Sequence, residues 1–177
     1  FQLFYSRRVG RSASDGGSVP INIAGKLTGK SGNTAFGMIT ALTDEKGDYG
    51  KSLHLVGRVS QTINKGKTNF GILFTHLNGR QSYDGEYDIV DSLKTPVSLG
   101  FDWGHQFFND QFVFSGQYAQ SIIDTTGHGV MANFSRIGGK FWNFSLDVDM
   151  RSKNFEINDL GFLDRNNMNS YSMDHLF

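Results

Sequence analysis

The chain has 177 residues with 17 basic and 17 acidic side chains, so its formal net charge is zero. A neutral chain has no overall field that would attract nucleic acid, and a nucleic-acid partner is therefore not expected. The sequence contains no cysteine, which excludes disulfides, thiolate metal sites and cysteine nucleophiles.

Length and composition favour one all-β domain over residues 1–177. The 22 glycines and 16 phenylalanines, with only 2 prolines, suit aromatic strands joined by tight turns. No run of about 18 apolar residues occurs, which excludes a transmembrane helix. The mean hydropathy of −0.35 still permits a membrane β-barrel, because a barrel strand presents apolar side chains to lipid only at every second residue.

Alternating apolar and polar residues predict a series of antiparallel strands along the whole chain. In chain order the predicted strands cover residues 19–28, 34–43, 53–64, 68–77, 96–107, 111–121, 129–137 and 141–151. Most are about ten residues long, which is the length of a tilted membrane-crossing strand.

The connections between these strands fall into two classes. Short turns are predicted at residues 29–33, 65–67 and 138–140, with a two-residue turn at Asn109 and Asp110. Longer polar loops are predicted at residues 44–51 and 78–92. Short turns at one end and longer loops at the other are typical of outer-membrane barrels.

The clearest alternation lies in residues 141–151, and its period of two holds for ten residues. A strand of this length extends about 30 Å, which is long for a soluble sheet. Its apolar side chains are predicted to face lipid, and they are Trp142, Phe144, Leu146, Val148 and Met150.

The opposite face of the predicted strands mixes small and charged side chains. The charged members at strand positions are Lys26, Arg58, Asp102, Arg136, Asp147 and Asp149. Such a mixture suits a water-filled lumen, so the predicted fold is an antiparallel up-and-down transmembrane β-barrel. The alternative that these residues leave open is the solvated outer face of a soluble β-sandwich.

Several ordered motifs resemble a family of bacterial outer-membrane barrels of unknown function, common in Bacteroidota, whose members usually follow a domain similar to family-9 carbohydrate-binding modules. The motifs are FYSRRVGR (residues 4–11), AGKLTGK (24–30), GMITALTDE (37–45), LVGRVSQ (55–61), GFDWGHQF (100–107) and FEINDLGFLDR (155–165). The resemblance implies that the chain is part of a larger barrel in the bacterial outer membrane. It also implies membrane lipid as a partner, and a glycan ligand or other surface proteins as candidate partners.

The candidate site residues are charged. A lumen charge cluster, or alternatively a ligand-binding site for an anion, is predicted from Arg7, Arg8, Arg11, Arg58, Asp147 and Asp149. The three N-terminal arginines are expected to face Asp147, Asp149 or Glu156.

No catalytic residue, metal ligand or cofactor is predicted, since the five histidines lack the spacing of a metal site. The acidic residues Asp84, Glu86, Asp88 and Asp91 are interpreted as a solvated loop, with a Ca²⁺ site as the alternative.

The predicted function is that of a non-enzymatic outer-membrane barrel that binds or transports a carbohydrate-related ligand, or anchors a surface assembly. An alternative is an outer-membrane hydrolase with its site on the barrel rim. Ser135 with His128, or His105 with Asp102, could serve such a hydrolase, although nothing in the sequence selects them. The other alternative is a soluble binding protein.

Overall fold

The computed structural model describes residues 1–13, 16–47, 49–83, 89–139 and 142–176. Within these ranges the chain is all-β, apart from two single-turn 3₁₀ helices at Ser6–Arg8 and Asn64–Gly66. In this part of the chain, no helix has the length and apolar character needed to span a membrane.

Nine strands form one antiparallel sheet in the order β1-β2-β3-β4-β7-β8-β9-β10-β11. Their bounds are β1 Ile21–Ser31, β2 Thr34–Thr43, β3 Ser52–Ile63, β4 Thr68–Asn78, β7 Val97–Phe107, β8 Phe112–Ile122, β9 Thr126–Arg136, β10 Asn143–Arg151 and β11 Met168–Leu176. The short strands β5 Arg80–Tyr83 and β6 Ile89–Lys94 pair with each other, outside the large sheet.

The two ends of the sheet differ in their connections. At one end, called the turn end, residues 32–33, 64–67, 108–111 and 137–142 join neighbouring strands. At the other, called the loop end, the connections are residues 44–51, 79–96, 123–125 and 152–167. The predicted contrast between short turns and longer loops is therefore confirmed, although residues 123–125 make one short connection at the loop end.

The sheet has a covered face and a bare face, because successive side chains of a strand point to opposite sides. Residues 1–13 pack on one face near the loop end together with residues 152–167, here called the return segment. We call this covered face the inner face. Leu3, Phe155, Ile157 and Leu163 form a core there with Ala119 of β8. A second core joins Leu160 to Val56 and Leu77.

Two inner-face glycines, Gly100 and Gly127, let the covering segments approach the sheet closely. A Cβ on Gly100 would lie 2.1 Å from Leu3 Cδ1, and a Cβ on Gly127 would lie 2.2 Å from the Asn154 carbonyl oxygen. A side chain at either position would push the covering segments off the sheet. Glycine therefore allows backbone and side chain to approach closely here.

The sheet formed by the described residues is open and does not close into a barrel, so the expected larger barrel stays a prediction. Each neighbouring pair among the nine strands is antiparallel, so β1 and β11 run in the same direction. Closing these nine strands would require a parallel pair, whereas up-and-down hairpins supply only antiparallel ones. The predicted all-β, antiparallel, up-and-down arrangement is confirmed.

The eight predicted strands all exist, and their ends lie within three residues of the observed ones. The prediction missed β11 and placed β5 and the first four residues of β6 inside a loop. The turn at Asn109 and Asp110 is also longer than expected, because Phe107 pairs with Phe112 and leaves four residues between them. Three of those residues, Phe108, Asn109 and Asp110, have φ between 49° and 65°.

Candidate functional site

The face opposite the covering segments, called the outer face, is apolar and largely exposed. Ile72 is 59% exposed, Ile23 and Tyr171 are each 67% exposed, and Met173 is 69% exposed. Further exposed members are Leu27, Phe36, Met38, Leu42, Leu53, Val59, Phe70, Leu99, Phe101 and Phe114. A bare apolar face that extends across nine strands far exceeds the apolar patches of ordinary soluble monomers.

The five side chains predicted to face lipid lie on this side of the sheet. Leu146 and Met150 are each 39% exposed, and Trp142, just before β10, is 44% exposed. Phe144 and Val148 are half-buried between neighbouring strands. The apolar side of β10 is thus not buried in a dry interior.

Arg136 is the exception on the outer face. It pairs in register with Phe112 and Phe144, so it shares their side of the sheet. The sequence placed it with the lumen charges, but β9 keeps a regular register, so Arg136 falls on the same face as Phe134. Among the outer-face positions of the nine described strands, it is the only Asp, Glu, Lys or Arg.

Aromatic rings surround Arg136 at the turn end of the outer face. We call this group the aromatic cluster, and it consists of Phe107, Phe112, Phe134, Trp142 and Phe144. The guanidinium carbon of Arg136 lies 4.4 Å from the Trp142 ring centroid and 5.7 Å from that of Phe112. Both distances are within the range of cation–π attraction.

The inner face, by contrast, holds its charges in pairs. Arg58 of β3 donates from Nη1 and Nη2 to the two carboxylate oxygens of Asp102 of β7, at 2.7 and 2.8 Å. The pair spans the intervening strand above Gly71, where a Cβ would lie 2.6 Å from Arg58 Nη2. A glycine on the middle strand therefore lets this two-point pair form.

A second inner-face group links β9 and β10. Asn133 Nδ2 donates to Ser145 Oγ at 2.6 Å and to Asp147 Oδ1 at 2.8 Å. Ser145 Oγ in turn donates to Asp147 Oδ2 at 2.9 Å. Asp147 is therefore held by neutral donors, and within the described residues it forms no ion pair with an arginine.

Arg151, at the end of β10, ties the return segment to the sheet. Its side chain is 5% exposed and donates from Nε and Nη2 to Asp149, at 2.9 and 2.6 Å. Its Nη1 also donates to the Asp164 carboxylate and, at 2.7 Å, to the Arg165 carbonyl. The hydrogen bond from Arg151 lowers the pKa of the Asp164 carboxyl below its usual value.

The chain's first residue packs against the same arginine. The guanidinium carbon of Arg151 lies 5.7 Å from the Phe1 ring centroid, and that ring meets Phe155 edge-on at 5.0 Å. The N-terminal and return segments thus share one anchoring point.

Two of the N-terminal arginines also bind the return segment. Arg8 Nε donates to the Gly161 carbonyl at 3.1 Å, and Arg8 Nη2 donates to Asn158 Oδ1 at 3.2 Å. Arg11 Nη2 donates to the Asp159 carbonyl at 2.9 Å. Arg7 is exposed in the 3₁₀ turn. The motif at residues 4–11 therefore contacts the motif at residues 155–165, which contains the expected partner Glu156, but it does so through Asn158, Asp159 and Gly161.

A cavity of about 20 Å³ lies beside these arginines and is lined by Arg8, Arg11, Thr43, Tyr49 and His54, among others. A volume of this size holds about one water molecule. Arg8 and Arg11 therefore line this small cavity while their guanidinium groups hydrogen-bond to the return segment.

The six predicted site residues do not form one cluster. Arg58 on β3 and Asp147 on β10 are five strand spacings apart, or about 24 Å along the sheet. Asp149 is taken by Arg151. The expected partners of the N-terminal arginines were Asp147, Asp149 or Glu156, whereas Arg8 and Arg11 bind Asn158, Asp159 and Gly161 of the return segment.

The residue pairs considered for a hydrolase are also separated. His105 accepts or donates a 2.8 Å hydrogen bond with Thr68 on the outer face, while Asp102 faces Arg58 on the inner face. Ser135 and His128 likewise lie on opposite faces of β9.

The acidic loop residues Asp84, Glu86 and Asp88 lie outside the described residues, as does the side chain of Asp91. Elsewhere in the described chain, no group of three His, Asp or Glu side chains is placed to hold a metal ion.

Residues 96–177 match the model of a family described as a domain of unknown function, DUF5916. The match covers somewhat less than half of the chain and includes strands β7 to β11 with the return segment. No curated protein and no solved structure matches the chain. The expected outer-membrane and Bacteroidota character, and the expected glycan ligand, stay predictions.

Proposed function

We propose that the sheet is part of the wall of a transmembrane β-barrel in a bacterial outer membrane, with the outer face toward lipid and the inner face toward an aqueous lumen. The observation that carries the proposal is that the apolar face is exposed and the polar face is partly covered, which is the reverse of a soluble β-sandwich. The apolar face is bare across nine strands, while the polar face bears paired charges and a covering layer. Lipid chains are the occupant that suits an apolar surface of this extent.

Strand length supports the same assignment. Six of the nine strands have 11 or 12 residues, which corresponds to about 36 to 40 Å along the strand. A tilt of about 40° reduces this to a height of about 28 to 30 Å. The hydrocarbon layer of a bilayer is about as thick.

The distribution of polar side chains on the outer face agrees with a lipid-facing band. Near the loop end lie His76, Gln120 and His128, and near the turn end lie Thr68, His105 and Arg136. Leucine, isoleucine, valine and aromatic residues dominate between these levels. Polar groups at both ends and an apolar middle are the arrangement that two membrane interfaces require.

The two open edges require partners in this setting. Unpaired backbone amides and carbonyls are not tolerated in hydrocarbon, so further strands must complete the wall. An odd number of added strands makes every pair antiparallel and gives an even total, as in bacterial barrels. The covering layer on the inner face then narrows the lumen at the loop end.

Cysteine scanning provides the test, because the native chain contains no cysteine and each substitution adds one thiol. In lipid vesicles, Ser145→Cys and Gln117→Cys on the inner face should react with a water-soluble maleimide. Leu146→Cys and Tyr118→Cys on the outer face should resist it and react with a lipid-soluble reagent. If the protein, produced together with the strands that complete the wall, stays in the aqueous fraction without detergent, and all four thiols react equally in water, the proposal is wrong.

A further inference from the structure

Arg136 is charged, whereas the other outer-face positions of the described strands carry no Asp, Glu, Lys or Arg. It is the last residue of β9, at the turn end, where the apolar band of the neighbouring strands finishes. Within the described residues, no carboxylate forms an ion pair with it, and its Nε is buried without a hydrogen-bond partner. A guanidinium placed among rings without an acidic partner has donors available for an anion.

The surroundings of Arg136 select the kind of anion. Trp142 and Phe112 stack on the guanidinium, and Ile137, next along the chain, is 58% exposed. The acidic side chains Asp147 and Asp149 point to the opposite face. A ligand that fits must present a negative group to Arg136 and apolar chains to the rings beside it.

The nearby concavity has a polar side that must also be considered. It is lined by Ser135, Arg136, Ile137, Asn143, Phe144, Ser145 and Asp174. Asp174 pairs in register with Ser145, which is an inner-face residue. The Asp174 carboxylate therefore repels an anion on the inner side of the sheet. An anion can reach Arg136 from the outer side.

We infer that Arg136 and the aromatic cluster bind the phosphate of a membrane glycerophospholipid, with the lipid's acyl chains lying along the outer face of β8, β9 and β10. Guanidinium donors fork onto phosphate oxygens, and aromatic rings sit at the headgroup level of a bilayer. In a barrel whose short turns face the periplasm, this lipid belongs to the periplasmic leaflet. The inference rests on the proposed function, since it requires the outer face to contact lipid.

The test uses Trp142 as the reporter in a Trp103→Phe background, which leaves one tryptophan in the chain. The protein is placed in phosphatidylcholine vesicles that contain either brominated phosphatidylglycerol or brominated diacylglycerol with the same acyl chains. Quenching of Trp142 then measures the preference for the phosphate-bearing lipid. We expect Arg136→Gln to lower this preference about fivefold, the value of one basic side chain at a membrane surface.

Two further variants separate specific binding from general charge. Arg136→Lys should keep part of the preference, because an ammonium retains the charge without the planar fork. Arg7→Gln removes one positive charge at an exposed N-terminal position and should leave the preference unchanged.

Three results would overturn the inference. The preference could persist in Arg136→Gln, it could fall equally in Arg7→Gln, or millimolar inorganic phosphate could abolish it, which would indicate a site for a free anion. A chain that inserts normally but shows no preference overturns this inference alone. A protein that carries the completing strands and still fails to insert overturns the proposed function as well.

Discussion

The two faces of the sheet differ in which side chains have partners and which are exposed. On the inner face, charged groups have partners, as in the Arg58–Asp102 pair, and a covering layer buries apolar residues near the loop end. On the outer face, large apolar side chains such as Ile72 remain bare. A soluble β-sandwich reverses this pattern, because it buries the apolar face and leaves the polar face in water. The comparison shows that alternation defines two faces without saying which one is covered.

The inner face itself divides into two regions. Near the loop end, the N-terminal and return segments form a small apolar core held by three arginines. Toward the turn end, the inner surface carries small hydrogen-bonded groups such as Asn133 with Ser145 and Asp147. In the proposed lumen, the covering layer narrows the loop end, and polar side chains line the turn end.

The largest effect is expected from Arg151→Met, which removes four side-chain hydrogen bonds from the inner face. The change leaves Asp149 without its cation and releases Asp164 and the Arg165 carbonyl. We expect a loss of about 3 kcal/mol in the free energy of unfolding, at the lower limit for a broken buried ion pair because Asp164 remains largely in water. Denaturant titration of the folded protein measures it.

Arg165→Met is the matched control, since Arg165 is exposed and contributes its carbonyl to the network. Its effect should stay within about 0.5 kcal/mol. Equal losses in the two variants would mean that the Arg151 side chain does not anchor the return segment.

The next largest effect is expected on the outer face, from Ile72→Arg in the middle of β4. In the proposed bilayer an arginine at this level costs about 2 to 3 kcal/mol. On the surface of a soluble sheet the same substitution would be nearly neutral. Folding titrations in lipid vesicles measure the difference.

Gln117→Arg, at mid-strand on the inner face, is the control for Ile72→Arg. Gln117 pairs in register with Asp102, so the new cation meets a carboxylate and water. It should cost less than about 1 kcal/mol. A similar cost for the two arginines would remove the energetic distinction between the faces.

The fold was predictable wherever alternation was strong. The strand at 141–151 and its neighbours follow from a period of two and from glycine-rich turns, which are local properties of the sequence. The strand β11 was missed because MNSYSMDHL carries few large apolar residues, so its pattern is weak. Closure could not be read from the sequence, since it depends on which strands meet at the two edges.

The site was predictable only in part. The sequence identified the apolar side of β10 and the basic N-terminus, because both are local patterns. The contacts of Arg8, Arg11 and Arg151 join segments about 150 residues apart or link a strand to the loop after it, and no spacing indicates them. Arg136 was predicted on the lumen side because it is charged, whereas the regular register of β9 places it on the same face as Phe134, two residues earlier.

A smaller effect is expected from Gly71→Ala, which tests the pairing across β4. The added Cβ would lie 2.6 Å from Arg58 Nη2 and 2.8 Å from Asp102 Oδ2, so the ion pair must shift. We expect a loss of about 1 kcal/mol, because both partners are partly exposed. At Gly57 of β3 a Cβ meets nothing within 4 Å, so Gly57→Ala should be neutral or slightly stabilising. Equal effects at the two positions would contradict an Arg58–Asp102 pair that passes directly over Gly71.

The smallest effect is expected in the pH dependence of the unfolding free energy, from loss of the Asp164 carboxylate that binds Arg151. The pKa of Asp164 lies below its ordinary value of 3.8 in the folded protein, because Arg151 donates a hydrogen bond to the carboxylate. A carboxyl with a lowered pKa adds stability above its unfolded pKa, and this contribution is lost as the pH falls through the folded pKa.

Asp164→Asn should therefore flatten the decline in unfolding free energy below about pH 4, with little change in slope near neutral pH. Part of the decline should remain, since the backbone amide of Glu45 donates to Asp44 and lowers the pKa of that carboxyl too. Glu45→Gln, which removes an exposed carboxylate without an ion pair in the described chain, should leave the decline as it is. Because Asp164 is mostly exposed, high salt should weaken the same contribution, which separates this contact from the buried part of the Arg151 network.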